Sequence, residues 1–191
     1  MLRFLELIAV SSQGRLGKHI QSLGGMDPIV WDGIATSISF CLETEPVGSE
    51  LGPEHYELEL ARLGSGSSYK IGKELLINSY KLGEKIERNP FKFLERISTS
   101  AVFFDETQRT FVTPEEFISD EESLLSLAAG PFINNRFIPP FQRELASIAV
   151  YHDLHTNKDA PIRQPAIARL EKRVDPDGQN LISVMHTLYT G

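Results

Sequence analysis

The 191 residues are 41% hydrophobic, 9% aromatic and 24% charged, the balance of an ordinary soluble globular protein with one compact domain or one large lobe. Phe, Leu and Ile recur throughout and can bury enough surface to offset conformational entropy, which excludes a disordered chain, and the composition is neither collagen-like nor disulfide-stapled. Nineteen basic residues against twenty-six acidic ones leave a net charge of −7 and a pI near 5.3. A strong sequence-independent grip on nucleic acid is therefore not expected of the whole surface, although a local basic patch stays open.

The single cysteine, Cys41, cannot make an internal disulfide and sits in the alternating run Ile38-Ser39-Phe40-Cys41-Leu42. It reads as a small apolar strand residue rather than a reactive thiol, in a reducing cytoplasmic compartment. No apolar run reaches the ~18 residues a membrane span needs. Glu6 interrupts the N-terminal apolar stretch, which lacks the long basic start and cleavage site of a signal peptide.

Residues 2 to 10 are apolar helix formers with no Ser, Thr, Asp or Asn before them to cap the first turn, so the helix starts as if cut. A second helix, Arg15 to Leu23, follows Ser11-Ser12-Gln13-Gly14 and stops at Gly24-Gly25. The period then becomes alternating and predicts strands at Thr36 to Glu43, Tyr56 to Leu63, Tyr69 to Ile77, Ile97 to Phe104 and Thr110 to Val112. Their breaks, Pro46 to Pro53, Gly64 to Ser68 and Asp105 to Gln108, are turn-rich and contain no helix, which makes an antiparallel meander. Glu43, Glu45, Glu57 and Glu59 point to one wet face. Thr113-Pro-Glu-Glu116 and Ser119-Asp-Glu-Glu122 have the capping-box form, and Gly130-Pro131 ends the second of these helices. A longer helix from about Pro140 carries Phe137, Phe141, Leu145 and Ile148 on one side and runs into a short strand, Ile148 to Tyr151. Residues 152 to 177 read as a polar surface loop. The last stripe, Leu181, Val184, Met185, Leu188 and Tyr189, is still running at Gly191. The fold class is thus mixed α+β (α/β): helices over 1–33, a meander over 34–112, and helices with one short strand over 113–191.

Several stretches imitate catalytic motifs. Gly66-Ser-Ser-Tyr-Lys-Ile-Gly72-Lys73-Glu74 has five residues between its glycines where a phosphate loop has four, and it ends in Glu, which cannot take the hydroxyl's place on magnesium. Gly14-Arg-Leu-Gly17-Lys18-His19 fails similarly, and both read as ordinary turns or helix starts. Ala101-Val-Phe-Phe-Asp105-Glu106 looks like a Walker B strand, but Asp105 to Gln108 reads better as the polar turn of a β-hairpin into Arg109 to Val112. His152, Asp153 and His155 form the only His-rich cluster. Their spacing points the imidazoles apart in an extended chain and misses the helical i, i+4 pairing, so a polar loop past a strand end is favoured over a metal site. No Gly-x-Ser-x-Gly elbow and no recognisable Cys–His arrangement is present.

The order of elements is more informative. An uncapped apolar helix, then Leu16-Gly-Lys-His-Ile-Gln-Ser-Leu-Gly-Gly-Met-Asp-Pro-Ile-Val-Trp-Asp-Gly33, then strands, then Phe141-Gln-Arg-Glu-Leu-Ala-Ser-Ile-Ala-Val-Tyr151, Arg163-Gln-Pro and Asp177-Gly-Gln-Asn-Leu-Ile-Ser-Val-Met-His186, resembles the predicted AAA-type ATPases of the RecF/SMC and ABC-like group over nearly the whole chain. In that family the helix matching Met1 to Ser11 follows the phosphate-binding loop, and the signature sequence, Walker B carboxylates and switch histidine come after the point where this chain ends. The resemblance therefore implies a front lobe, 1–191, without Walker A or the second half. It implies a parent activity of ATP binding and hydrolysis with magnesium, coupled to head-to-head dimerisation and to indirect work on nucleic acid or a partner nuclease. No catalytic or nucleotide-binding residue of this chain is assigned, no cofactor is expected for the chain alone, and independent hydrolysis is not expected. Two alternatives stand beside it: an interaction subunit completed by a partner chain, and, more weakly, a metal-dependent hydrolase using His152, Asp153 and His155; a homo-oligomer or a partner subunit is expected. Exposed first and last stripes predict an oligomer or poor solubility.

Overall fold

A computed structural model describes residues 2–30, 33–44, 51–64, 67–82, 85–86, 90–114, 118–127, 134–151, 157–164, 167, 169–175 and 177–190. These fall into two compact units, residues 7–146 and residues 1–6 with 147–191.

The larger unit begins within helix α1, Leu2–Ser12, and continues through α2, Leu16–Ser22. Both helices end in the same way. Arg15 N–H donates to Val10 C=O (3.0 Å) and Gly14 N–H to Ser11 C=O (3.1 Å), while Gly25 N–H donates to Ile20 C=O (2.9 Å) and Gly24 N–H to Gln21 C=O (3.1 Å). These are Schellman closures, each with a glycine in the left-handed region, Gly14 at φ 66° and Gly24 at φ 90°. The expected helix stop at Gly24-Gly25 is therefore present. Leu7, Ile8 and Ala9 of α1 are buried, so the first apolar stripe is not the exposed one that the sequence suggested.

The sheet contains β1, Ser37–Thr44; β2, Leu51–Arg62; β3, Tyr69–Leu82; β4, Lys85–Ile86; β5, Phe91–Ile97; β6, Ser100–Asp105; and β7, Thr110–Val112. Its order is β1-β2-β3-β5-β6-β7, with β4 paired to β3, and every pairing is antiparallel. The mixed α+β class and the antiparallel meander are thus as expected. One face is covered by helices and carries Phe40, Tyr56, Leu58, Leu76, Leu94 and Phe103, all buried. The other holds exposed Glu43 and half-buried Glu57 and Glu59, with Lys73 Nζ on Glu57 Oε2 at 2.7 Å.

Two extra residues change which face each side chain meets. Glu59 faces Lys73 but Leu60 faces Ile71, so Gly72 is bulged and the inward set changes from Tyr69 and Ile71 to Glu74, Leu76 and Asn78. Likewise Leu76 faces Leu94 but Ile77 faces Lys92, leaving Phe93 and Leu94 both buried. The expected strand Ile97 to Phe104 is two strands, because Ser98 at φ 55° turns the chain between β5 and β6.

Helix α3, Leu124–Leu127, is short, and α4, Ile138–Ala146, begins slightly before the expected Pro140. Asn135 caps α4, its Oδ1 accepting from Phe137 N–H (2.9 Å) and Ile138 N–H (3.1 Å), while its Nδ2 donates to Phe104 C=O (3.0 Å). Phe141 of α4 packs edge-on to Tyr56 at 5.8 Å. Ser119 does not cap a helix as a capping box would: its Oγ accepts from Glu121 N–H (3.2 Å) in a turn. The box at Thr113 to Glu116 and the stop at Gly130-Pro131 involve residues outside those described, as do Glu45 and most of the turn Pro46 to Pro53.

In the smaller unit, Ile148–Tyr151 is not a strand. Tyr151 Oη donates to Val174 C=O (2.7 Å), a side-chain tie in place of ladder pairing. A short 3-10 helix covers Pro161–Arg163, and α5 covers Leu181–Thr190. Asn180 Oδ1 accepts from Asp175 N–H (2.7 Å) and its Nδ2 donates to Arg173 C=O (3.0 Å), which pins the approach to α5. Thr187 Oγ1 accepts from Glu171 N–H (3.0 Å) and has two acceptors for its proton, Ser183 C=O (2.9 Å) and Arg169 C=O (3.2 Å). Of the expected stripe, Val184 is buried, whereas Met185, Leu188 and Tyr189 are exposed.

Candidate functional site

The two imitation phosphate loops meet at one place. A cleft of about 590 Å³ is lined by Gly17, Lys18, Ile20, Gln21, Gly24 and Gly25 from the α2 region, Ser67, Ser68 and Tyr69 at the entry to β3, and Glu121 and Glu122. Met26 N–H donates to Ser67 C=O (3.0 Å) and closes one wall. Gly25 has φ 95°, and a Cβ there would lie 2.1 Å from Ser67 Cβ, so glycine is required both by conformation and by space.

The electrostatics are wrong for a triphosphate. Glu122 Oε1 accepts from Gly17 N–H at 3.4 Å, occupying an amide at the start of α2 that an anion would need, and the Glu121 side chain is close by. Burial first, then Glu122 and Glu121, pushes the Tyr69 phenol above its ordinary range, and its hydroxyl donates to Glu121 C=O (2.7 Å). Gly72-Lys73-Glu74 is neither a turn nor a helix start but lies within β3, with Lys73 engaged by Glu57 on the opposite face. Gly14 is a helix-ending turn residue, as the sequence reading had it.

The Walker B imitation is a hairpin. Asp105 Oδ1 accepts from Gln108 N–H (2.8 Å), and Arg109 at φ 53° completes the turn between β6 and β7. Glu106 accepts from Arg136 N–H (2.8 Å) instead of facing a nucleophile. These described groups do not fit a magnesium triphosphate, and no chemical step is assigned to them.

A buried polar cluster that sequence reasoning missed lies across the inner face. Glu74 has no exposed surface and accepts from Tyr56 Oη (2.9 Å), Leu124 N–H (2.7 Å) and Leu125 N–H (3.0 Å). Burial raises its pKa above the usual glutamate range, opposed by those hydrogen bonds and by Arg96. Burial, then Glu74, also raises the Tyr56 phenol well above normal. Arg96, opposite Glu74 in the β3–β5 pairing, donates to Ser119 C=O (3.0 Å), Glu122 C=O (3.0 Å) and Asp120 Oδ1 (3.0 Å). Together they attach the 119–125 segment to the sheet. The bulge at Gly72 hides Glu74 from an alternation count that starts at Tyr69.

Cys41 is a strand residue, but it lies on the exposed face, not in the core, with Sγ 3.7 Å from both His55 ring nitrogens. Burial, Glu43 and Glu57 raise its pKa, which opposes thiolate formation. His152, Asp153 and His155 lie outside the described residues, and among those described no group of three or more His, Cys, Asp or Glu is arranged to hold a metal. No described helix is long and apolar enough to cross a membrane. No protein-family model, no curated protein and no solved structure matches the chain.

Proposed function

We propose that the chain acts as the front lobe of an ATPase of the RecF/SMC and ABC-like group, in the cytoplasm, with the triphosphate and magnesium held by groups other than the described residues of this chain. The observation that carries this reading is the order of elements: an apolar helix, a glycine-terminated second helix, then an antiparallel meander, in the sequence order of that group. The occupied amide at Gly17 supports the second half of the proposal. The coding sequence upstream of Met1 tests the reading. An in-frame Gly-x-x-x-x-Gly-Lys-Ser/Thr is expected, and a stop codon with no such motif in the adjoining frames would overturn it.

A second reading, an interaction subunit that pairs with a partner chain or a second copy, is favoured by α5 and the segment bonded to it. Leu170, Leu188 and Tyr189 are 86%, 78% and 94% exposed, more apolar surface than a small unit usually leaves open. Size-exclusion chromatography is expected to show an oligomer, and a clean monomer at micromolar concentration would contradict this reading. In the first reading, nucleic acid or a nuclease is contacted only by the whole machine.

A further inference from the structure

On the helix-covered face, one end of the sheet carries a polar row. Thr44, Glu54 and Asn78 stand directly opposite one another on β1, β2 and β3. Directly paired residues have Cβ atoms ~5 Å apart, so the three side chains are neighbours. Each keeps the phase of a buried inward residue on its own strand: Phe40, Tyr56 and Leu76. Thr44 Oγ1 donates to Glu54 Oε2 at 3.4 Å.

A second carboxylate comes from above. Phe141 of α4 packs on Tyr56, two residues from Glu54, and Glu144 lies one helical turn beyond Phe141. Its charge acts on Glu54: after burial, Glu144 is the next largest cause raising the Glu54 pKa. Glu144 thus lies within electrostatic reach of Glu54.

Asn78 supplies the independent sign of a ligand. It is 1% exposed, yet neither Nδ2 nor Oδ1 has a hydrogen-bond partner. Buried amides are almost always satisfied, by protein or by something bound. Here the orphaned amide stands beside an acid that would welcome positive charge.

We propose that Glu54, Glu144, the Asn78 amide oxygen and the Thr44 hydroxyl bind a divalent cation. The donors are all hard oxygens and come from four separate elements, a flexible set that suits Ca²⁺ better than Mg²⁺, which demands near-ideal octahedral geometry. A site with two carboxylates and an exposed rim belongs to the weak class, with Kd of about 10⁻⁴–10⁻³ M.

Thermal unfolding of the EDTA-treated full chain tests this. About 10 mM Ca²⁺ is expected to raise Tm by roughly 3–10 °C over KCl of matched ionic strength, with a smaller rise from Mg²⁺. Glu144→Gln, at an exposed position, is expected to fold and to lose the Ca²⁺-dependent shift, and Asn78→Leu to lose it also. A wild-type chain that responds equally to CaCl₂ and matched KCl would overturn the proposal, as it would mean that only water satisfies Asn78. Full retention of the shift in Glu144→Gln would overturn it too, even if Asn78→Leu failed to fold.

Discussion

Two polar places on the same inner face of the sheet behave in opposite ways. At Glu74 and Arg96 nearly every donor and acceptor is matched: the carboxylate takes two amides and a phenol, and the guanidinium takes carbonyls of residues 119 and 122 and the Asp120 carboxylate. At Asn78, four residues further along β3, neither amide atom is matched. The difference separates a structural polar cluster from a binding one. Matched buried groups over-determine a local conformation, here that of residues 119–125, whereas unmatched groups leave capacity for a ligand.

The largest break in that comparison is Glu74→Ala. It strands two buried amides and the Tyr56 hydroxyl and leaves a cavity, so denaturant unfolding is expected to show a loss of ~3–5 kcal/mol. Next, Arg96→Met keeps much of the volume but orphans two carbonyls, with an expected loss of ~2–4 kcal/mol. If either substitution changed stability by less than ~1 kcal/mol, the cluster would not be structural.

The pH dependence sharpens the same point. Because the folded state raises the Glu74 pKa, the native chain holds this proton more tightly than the unfolded one. Its stabilising contribution is complete below the unfolded value of ~4.3 and is lost as pH rises through the raised folded value. Glu74→Gln is expected to flatten that part of the stability–pH profile, and an unchanged profile would contradict the assignment.

The opposite end should respond in the opposite direction. Asn78→Leu removes two unmatched groups at similar volume, so it is expected to be neutral or to stabilise by up to ~1 kcal/mol without Ca²⁺. A loss above ~1 kcal/mol would show that Asn78 is satisfied within the fold. The smallest effect belongs to Glu144→Gln, which relieves repulsion with Glu54 and is expected to stabilise by ~0.3–0.5 kcal/mol at neutral pH, the gain fading as pH falls through the raised folded pKa of Glu54.

Local signals in the sequence explain what was legible. Gly14 and Gly24 mark the two Schellman closures, and Asp105 to Gln108 mark the hairpin. β1, β7 and α5 lie where their patterns place them, although most of the α5 apolar stripe is exposed. What was hidden depends on residues distant in the chain or on a change of phase. β5 escaped notice because the bulge at Phe93 breaks its alternation and Ser98 turns without a glycine. The first two α3 amides, of Leu124 and Leu125, are bound by Glu74, fifty residues away, to which no local capping motif points, while Ser123 Oγ accepts from Ser126 N–H. Ile148 to Tyr151 has strand-like residues but no ladder partner among the described residues.

The cleft is where chemistry and fold reading meet, since glycines and a lysine imitate a phosphate loop while Glu122 occupies the Gly17 amide. Calorimetric titration of ATP–Mg into the isolated 191-residue chain tests this most directly. The expected result is no binding at micromolar concentration. Micromolar binding would contradict both the displacement of phosphate by Glu122 and the proposal that the nucleotide is held by other groups.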